Sequence, residues 1–225
     1  MLVYVPQGDI SGIDFREDLK LAIGTERPVC LDVGANEGQT IDLLQTLFNR
    51  PTIYAFEPSR KMFQILQLRD FGDGVSLHKV ALGNEIKTQE FINYKNSCLS
   101  SFLPLDTHGE NRFRSVEIES RELVQVTTVD RFLQQNRISL VNLLKIDTQG
   151  FDLAVLLGAV EALQRGVIQN VLVELNFVRM YLRQSAPRDI IEFLLKHNMC
   201  LIDYYEKVRQ NKTLAWCTAL FGKRS

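Results

Sequence analysis

Short apolar runs alternate with longer amphipathic segments along most of the chain. Each apolar run ends in turn residues, which is typical of a buried strand. We predict strands at residues 29–33, 52–56, 75–82, 140–147, 171–175, 200–205 and 214–221. The amphipathic segments carry apolar residues at helical spacing, and we predict helices at residues 40–48, 59–68, 152–163 and 187–197. This alternation predicts an α/β fold with a mostly parallel sheet and helices on both faces.

Two regions depart from the simple alternation. In the middle of the chain, TQEFINY (88–94) and VQVTTV (124–129) predict strands that are separated by a polar loop. Asp130 is predicted to cap a short helix that ends at Asn136. At the other end of the sequence, the last two predicted strands are joined by a polar turn, which predicts an antiparallel hairpin.

Composition narrows the class of protein. The 225 residues are 45% hydrophobic and 24% charged, with a net charge of -1, as in an ordinary soluble protein. No repeat or linker divides the chain, so we predict one domain over residues 1–225, with an N-terminal extension at 1–28 and a substrate or lid insertion at 96–126. The balanced charge predicts neither a nucleic-acid substrate nor a membrane surface as partner. The sequence leaves the oligomeric state open.

Cysteine and histidine usage bears on metal chemistry and location. The four cysteines are scattered without a CxxC pair, and the three histidines are isolated, so we predict no metal site. No apolar run is long enough for a membrane helix, and the first residues lack the basic start of a secretory signal. Reduced thiols and a cytoplasmic location are therefore expected.

The turn after the first predicted strand, in CLDVGANEGQT (30–40), carries the main functional signal. Ligands of open α/β sheets bind beyond the carboxyl ends of the strands, where Gly34 lets the chain turn sharply. The spacing lacks the GxGxxG pattern of a pyrophosphate site. Asp32 and Glu57 end the first two strands, and two carboxylates favour a ligand with ribose hydroxyls and a positive charge, such as S-adenosylmethionine. The alternative is that Gly34 and Gly38 only shape the turn.

Seven motifs in order resemble the FkbM family of S-adenosylmethionine-dependent methyltransferases. They are LDVGANEGQT (31–40), YAFEPS (54–59), VALGN (80–84), NSCLSSF (96–102), TTVDRF (127–132), LLKIDTQGFDLAVLLGA (143–159) and VLVEL (171–175). The resemblance implies the single-domain class I methyltransferase fold, which is Rossmann-like and has a seven-stranded sheet whose last strand is inserted antiparallel. It also implies O-methylation of a hydroxyl on a sugar, a glycan or a secondary metabolite.

The resemblance assigns site residues through the matching motifs. The implied cofactor-binding residues are Asp32, Gly34, Ala35, Asn36, Glu57, Pro58, Ala81, Leu82, Ser100, Ser101 and Asp147. Asp147 would lie next to the sulfonium, and Asp147 and Glu174 are the candidate catalytic residues. The chain departs from the family pattern in KIDTQGFD, where Gln149 precedes the glycine. A role that requires a carboxylate at this position would fall to Asp147 or Asp152.

Several alternatives stay open at this point. The aspartates could cap helices or bind loop amides, and Asp152 in particular is expected as a helix N-cap. The serines could simply form turns. Arg179 and Arg183 could hold an anionic acceptor if their segment is helical. A nicotinamide-dependent oxidoreductase and a non-catalytic interaction module remain as other functions for the same sheet.

Overall fold

A seven-stranded sheet and a smaller three-stranded sheet organise the chain. The structure, a computed structural model, describes residues 14–108, 112–113 and 115–224. The strands are β1 (Val29–Val33), β2 (Thr52–Phe56), β3 (Val75–His78), β4 (Ala81–Leu82), β5 (Lys87–Tyr94), β6 (Ile118–Thr127), β7 (Leu143–Ile146), β8 (Asn170–Asn176), β9 (Met199–Gln210) and β10 (Thr213–Lys223). The large sheet has the order β3-β2-β1-β7-β8-β10-β9, and the small sheet has the order β4-β6-β5.

The large sheet is parallel except for one strand. Strand β10 runs antiparallel to both of its neighbours, β8 and β9, whereas the pairs from β3 across to β8 are parallel. The last strand in the sequence is therefore inserted between two others. This arrangement confirms the predicted mostly parallel seven-stranded sheet with a C-terminal antiparallel hairpin.

Helices cover both faces of the large sheet, as predicted. They are α1 (Phe15–Ile23), α2 (Gln39–Leu47), α3 (Arg60–Gln67), α4 (Val129–Asn136), α5 (Asp152–Leu157), α6 (Val160–Gln164) and α7 (Pro187–Lys196), with a 3-10 turn at Ser97–Leu99. Leu19, Leu44 and Leu66 place α1, α2 and α3 in one apolar cluster. The helices α4 to α7 contribute to a second cluster. Within the described part of the chain, no helix has the length and apolar character needed to cross a membrane.

The third predicted strand, 75–82, is wrong as a single element. The chain turns sharply after β3, where the Val80 amide donates to the His78 carbonyl at 3.0 Å. Strand β3 pairs with β2 in the large sheet, and β4 pairs with β6 in the small one. Only the polar pair His78 and Lys79 interrupts the apolar pattern at this turn. So short a break does not show that the two halves belong to different sheets.

The predicted helix 152–163 is likewise divided, into α5 and α6. A side chain at Gly158 would not fit, because its Cβ would lie 2.0 Å from the Gly83 carbonyl oxygen. The carboxylate of Asp130 accepts from the amides of Glu161 and Ala162, at 3.0 and 2.8 Å, and so caps α6. The expected capping of the 130–136 helix by Asp130 is therefore wrong.

Thr128 fills the capping position of α4. Its hydroxyl accepts from the Arg131 amide at 3.1 Å. The helix begins one residue later, at Val129. The predicted cap, Asp130, instead accepts from two amides of the neighbouring helix α6.

The predicted N-terminal extension contains a helix. Asp14 accepts from the Arg16 amide at 2.8 Å and caps α1. The helix ends at Ile23 and is followed by Gly24 in a left-handed conformation. Phe15 packs on Tyr205 with ring centroids 5.0 Å apart, and the Tyr205 hydroxyl donates to Asp18 at 2.6 Å. Helix α1 is therefore fixed against the C-terminal hairpin, whereas residues 1–13 lie outside the described part of the chain.

Candidate active site

A cavity of about 290 Å³ opens at the carboxyl ends of β1, β2, β7 and β8. The strand order reverses between β1 and β7, which is where open α/β sheets bind ligands. Most of the predicted site residues lie on its wall: Gly34, Ala35, Asn36, Glu57, Pro58, Ala81, Leu82, Ser100, Asp147 and Glu174. We call it the first cavity. Asp32 and Ser101 lie behind this wall.

The turn after β1 is held tightly against the neighbouring strands. The amides of Gly34 and Ala35 both donate to the Phe56 carbonyl at 3.0 Å. Gly34 has a φ of +84°, and a Cβ there would lie 2.0 Å from the Asp147 carbonyl oxygen. A glycine is required at this position because the turn passes close to the backbone at the end of β7. This contact excludes a side chain even without a ligand.

Glu57 is oriented by two backbone amides. Its Oε2 accepts from the Asn36 amide at 2.8 Å, and its Oε1 accepts from the Ser59 amide at 2.9 Å. Burial raises the pKa of Glu57 to about 7, although the two amides favour the ionised form. A carboxylate oxygen can accept more than one hydrogen bond, so this group can also accept from a ribose diol in the cavity.

Asp32 and Lys145 form a buried ion pair behind the first cavity. The β1–β7 register places the two residues side by side, and Lys145 Nζ lies 3.0 Å from Asp32 Oδ1. Lys145 also donates to the Gly34 carbonyl at 3.1 Å. Burial would lower the pKa of Lys145, but the negative charges of Asp32 and Asp147 outweigh it and raise the pKa. Asp32 is fully buried and holds the lysine and the turn in place.

Lys145 is not among the site residues predicted from the sequence. The signal was present, because a lysine lies between Leu144 and Ile146 in a strand that reads as buried. A buried ammonium needs a charged partner. The register with Asp32 supplies that partner, and Lys145 also reaches the wall of the first cavity.

Asp147 and Glu174 lie together at the ends of β7 and β8, joined by Gln149. The Gln149 Nε2 donates to Asp147 Oδ1 at 2.6 Å and approaches Glu174 Oε1 at 3.3 Å. Asn176 also donates to Glu174 Oε1, at 2.9 Å. Burial, followed by repulsion from Asp147, raises the pKa of Glu174 well above its usual range. Glu174 therefore holds its proton more strongly than an exposed glutamate does.

Gln149 occupies the position at which the sequence departs from the family pattern. It has a φ of +55°, which is uncommon for a residue with a side chain. The Tyr181 hydroxyl lies 2.9 Å from its Oε1, and the Ser101 hydroxyl donates to its backbone carbonyl at 2.8 Å. Ser101 thus positions the loop that carries Gln149. Here an amide that donates to both acids stands in place of a third carboxylate.

Part of the lining of the first cavity is apolar. The apolar residues that can contact a flat ring are Phe56, Met62, Ala81, Leu82, Phe91 and Phe102. Ser97, Cys98 and Ser100 of the predicted 96–126 insertion line the same cavity, and the Ser100 hydroxyl accepts from the Tyr94 amide at 3.1 Å. An adenine base fits such an apolar slot, because its ring faces need contact and few hydrogen bonds.

Two further candidate groups lie away from the first cavity. Asp152 accepts from the amides of Thr148 and Gly150, at 2.9 and 3.1 Å, so it organises the loop before α5 and is not its N-cap. The segment that carries Arg179 is not helical, and Arg179 pairs with Asp106 at 2.8 Å. The helical condition for an anion-binding arginine pair is therefore not met.

Comparison with known proteins identifies the family. A sequence model of the family described as the methyltransferase FkbM domain matches residues 32–199. No curated protein matches the chain significantly. The matched range contains every predicted site residue.

Solved structures of methyltransferases share the fold. The METTL16 methyltransferase domain superposes with a TM-score of 0.52 at 12% identity, covering 93% of this chain and 66% of that chain. A protein from Listeria monocytogenes, described as an S-adenosylmethionine-dependent methyltransferase, gives 0.50 at 8% identity, covering 93% and 97%. A Pyrococcus horikoshii protein, described as an RNA methyltransferase, gives 0.46 at 13% identity, covering 93% and 83%. The predicted lack of a nucleic-acid substrate stays a prediction.

Proposed function

Because the chain belongs to the FkbM methyltransferase family, we propose that it transfers a methyl group to a hydroxyl of a small-molecule or glycan acceptor, either a sugar or a secondary metabolite. Its cofactor is S-adenosylmethionine. The observation that carries the proposal is the linked pair of Asp147 and Glu174 on the wall of the first cavity. A hydroxyl acceptor has to lose its proton, and such a pair can receive it.

The residues of the first cavity fit the cofactor. Glu57 would accept from the ribose hydroxyls, and the apolar slot around Leu82 would enclose the adenine. Asp147 and the turn at Gly34, Ala35 and Asn36 would hold the methionine part, whose ammonium carries a positive charge. When bound, the cofactor supplies a methyl group on a sulfonium, which passes to the acceptor oxygen as the carbon–sulfur bond breaks and S-adenosylhomocysteine is left.

The two acids would divide the proton chemistry. Asp147 would accept the hydroxyl proton, while Gln149 keeps its carboxylate oriented. Glu174, with its raised pKa, would remain protonated and act as a hydrogen-bond donor to the acceptor or to Asp147. A positioned base contributes a rate factor on the order of 100 to 10,000. Alignment of the acceptor in the cavity supplies a further part of the rate through proximity.

Binding and turnover test the proposal in sequence. Calorimetric titration with S-adenosylhomocysteine should show saturable one-to-one binding to the purified protein. Formation of S-adenosylhomocysteine from the cofactor should then be measured with panels of sugar and phenolic hydroxyl acceptors. We expect Asp147→Asn to lower turnover about 100-fold or more while the fold is kept. Glu174→Gln, which imitates the protonated acid, should retain more activity.

Each alternative has its own outcome in these experiments. Binding of NADH in preference to S-adenosylhomocysteine would favour an oxidoreductase, and binding of neither would favour a non-catalytic module. Full turnover by both the Asp147 and the Glu174 variants would remove the proposed base. Turnover on RNA but on no small acceptor would remove the substrate class. A cytoplasmic location remains part of the proposal, in keeping with four free cysteines.

A further inference from the structure

A second cavity, of about 280 Å³, adjoins the first. The two cavities share one wall, formed by Gln39, Thr40, Lys145, Asp147 and Glu174. The proposed catalytic acids therefore face both spaces. A methyl acceptor has to reach these acids without occupying the cofactor's place, and the second cavity offers this route.

The outer wall of the second cavity comes from the two ends of the sequence. Phe15 of α1 lines it, together with Glu206 and Thr218 of the β9–β10 hairpin. Leu43 and Leu172 add apolar surface to its lining. None of these residues belongs to residues 96–126, the predicted substrate or lid insertion. The described part of that insertion contacts only the first of the two cavities.

Glu206 is placed by an irregularity in the hairpin. Val208 pairs with Trp216 and Tyr205 pairs with Thr218, so two residues of β9 face a single residue of β10. Glu206 has a φ of +49° within this bulge. Bulges re-aim side chains in antiparallel pairs. The Glu206 side chain lines the cavity, and its Oε2 accepts from the Thr218 hydroxyl at 3.0 Å.

The charges around the second cavity disfavour an anion. Asp147 and Glu206 place carboxylates on its wall. The positive charge there, on Lys145, is already paired with Asp32. The remaining polar groups are the hydroxyls of Thr40 and Thr218 and the amide of Gln39, which exchange hydrogen bonds with hydroxyl groups. Phe15 adds an aromatic surface for the apolar face of a ring.

Resting on the proposed function, we infer that the second cavity is the acceptor site and that it takes a hydroxyl-rich ring that is uncharged or carries an ammonium group. Glu206 is the residue that sets this preference, because it attracts an ammonium group and repels a carboxylate or phosphate. Specificity would then reside in α1 and the C-terminal hairpin.

Methyl-labelled protein saturated with S-adenosylhomocysteine provides the test. Glucosamine, methyl glucoside and glucuronate serve as matched probes with positive, zero and negative charge. We expect glucosamine and methyl glucoside to shift the NMR signals of Leu43 and Leu172, and glucuronate to shift them much less. The signals of Ala81 and Leu82, in the first cavity, should respond to S-adenosylhomocysteine and not to the sugars.

A charge-neutral variant tests the role of Glu206. Glu206→Gln should raise the dissociation constant of glucosamine about five-fold and leave that of methyl glucoside nearly unchanged, as expected for one charge pair in a solvated site. Glu192→Gln is the matched control, because Glu192 is an exposed glutamate on α7, on the opposite face of the sheet. Affinity for S-adenosylhomocysteine should be equal in both variants.

These results test the acceptor site in the second cavity separately from the cofactor site in the first cavity. If S-adenosylhomocysteine fails to shift Ala81 and Leu82, the proposed cofactor cavity is wrong. If it does shift them, but no sugar shifts Leu43 and Leu172, the second cavity is not an acceptor site. Equal binding of glucuronate and glucosamine, or equal behaviour of the Glu206 and Glu192 variants, would overturn the charge preference.

Discussion

Glu57 shows how much of a ligand site can be set by a single buried carboxyl. Both of its oxygens are fixed by backbone amides, from Asn36 and Ser59, before any ligand arrives. Its position at the end of β2 could be predicted from the sequence, because a charged residue directly follows a buried strand. Its amide partners could not be predicted, because they depend on how the turn after β1 folds over β2.

The raised pKa of Glu57 predicts pH-dependent cofactor binding. A ribose diol donates to the ionised carboxylate, so binding should tighten as pH rises through the value of about 7. If only the ionised form binds, affinity for S-adenosylhomocysteine at pH 5.5 should be about 30-fold weaker than at pH 8. Calorimetric titrations across this range measure the effect.

Glu57→Gln provides the control, since its amide does not titrate. The variant should bind more weakly than the wild type at pH 8 and show a flat profile between pH 5.5 and pH 8. A wild-type profile that is equally flat would mean that Glu57 does not contact the ribose. A sloping profile in the variant would assign the titration to another group.

Lys145 and Gln149 mark the limit of residue-level prediction. The lysine was visible as a charge within a buried strand, but its partner required the β1–β7 register. Gln149 was noticed only as a departure from the family pattern. Its amide bridge to Asp147 and Glu174 depends on a left-handed backbone conformation, which sequence patterns do not reveal.

At the scale of secondary structure, hydrophobic patterning located the strands of the large sheet well and their breaks poorly. The 75–82 run reads as one strand because only two polar residues, His78 and Lys79, mark the turn between β3 and β4. Helix α1 was missed, although Phe15, Leu19 and Ile23 repeat at helical spacing between an aspartate cap and a glycine. Capping residues at both ends were the signal that could have identified it.

Asp130 links two helices, which predicts the effect of its removal. Asp130→Ala should lower the free energy of unfolding by about 1 to 2 kcal/mol, because two amides at the start of α6 would lose their acceptor. Urea denaturation measures the change. Affinity for S-adenosylhomocysteine should stay within about two-fold, because Asp130 lies outside both cavities.

Asp130→Asn is the conservative comparison. Its one remaining oxygen can still accept from an α6 amide, so the loss should be smaller than with alanine. An alanine variant as stable as the wild type would show that the α6 cap contributes nothing. Equal losses with asparagine and alanine would point to the charge as the stabilising feature.

At the scale of the whole molecule, burial raises the pKa values of three acids in and near the site. Burial raises the pKa of Glu57 to about 7 and that of Asp152 to about 6, and it raises the pKa of Glu174 well above its usual range. The fold therefore stabilises their protonated forms. This contribution is complete below their ordinary pKa values and is lost as pH rises through the raised ones.

The ligand-free protein should accordingly be more stable near pH 5 than near pH 8. The rise of the Glu57 pKa from 4.5 to about 7 corresponds to about 3 kcal/mol of unfolding free energy. His78 acts in the opposite direction, because burial lowers its pKa. Thermal unfolding in matched buffers between pH 5 and pH 8 measures the net slope.

Glu57→Gln should flatten this stability profile, because the variant lacks the carboxyl whose pKa of about 7 lies within this pH range. A melting temperature that increases from pH 5 to pH 8 in the wild type would contradict the prediction.

That residues 1–225 form a single domain stays a prediction.

The place of β10 has a consequence for synthesis on the ribosome. Among the described strands, Thr213–Lys223 comes last along the chain, yet it lies between β8 and β9. Until it emerges, β8 lacks one neighbour and β9 lacks the strand that joins it to the sheet. Emerging chains would expose an open sheet edge to other chains. Chaperone occupancy of nascent chains should therefore persist until this last strand has left the exit tunnel.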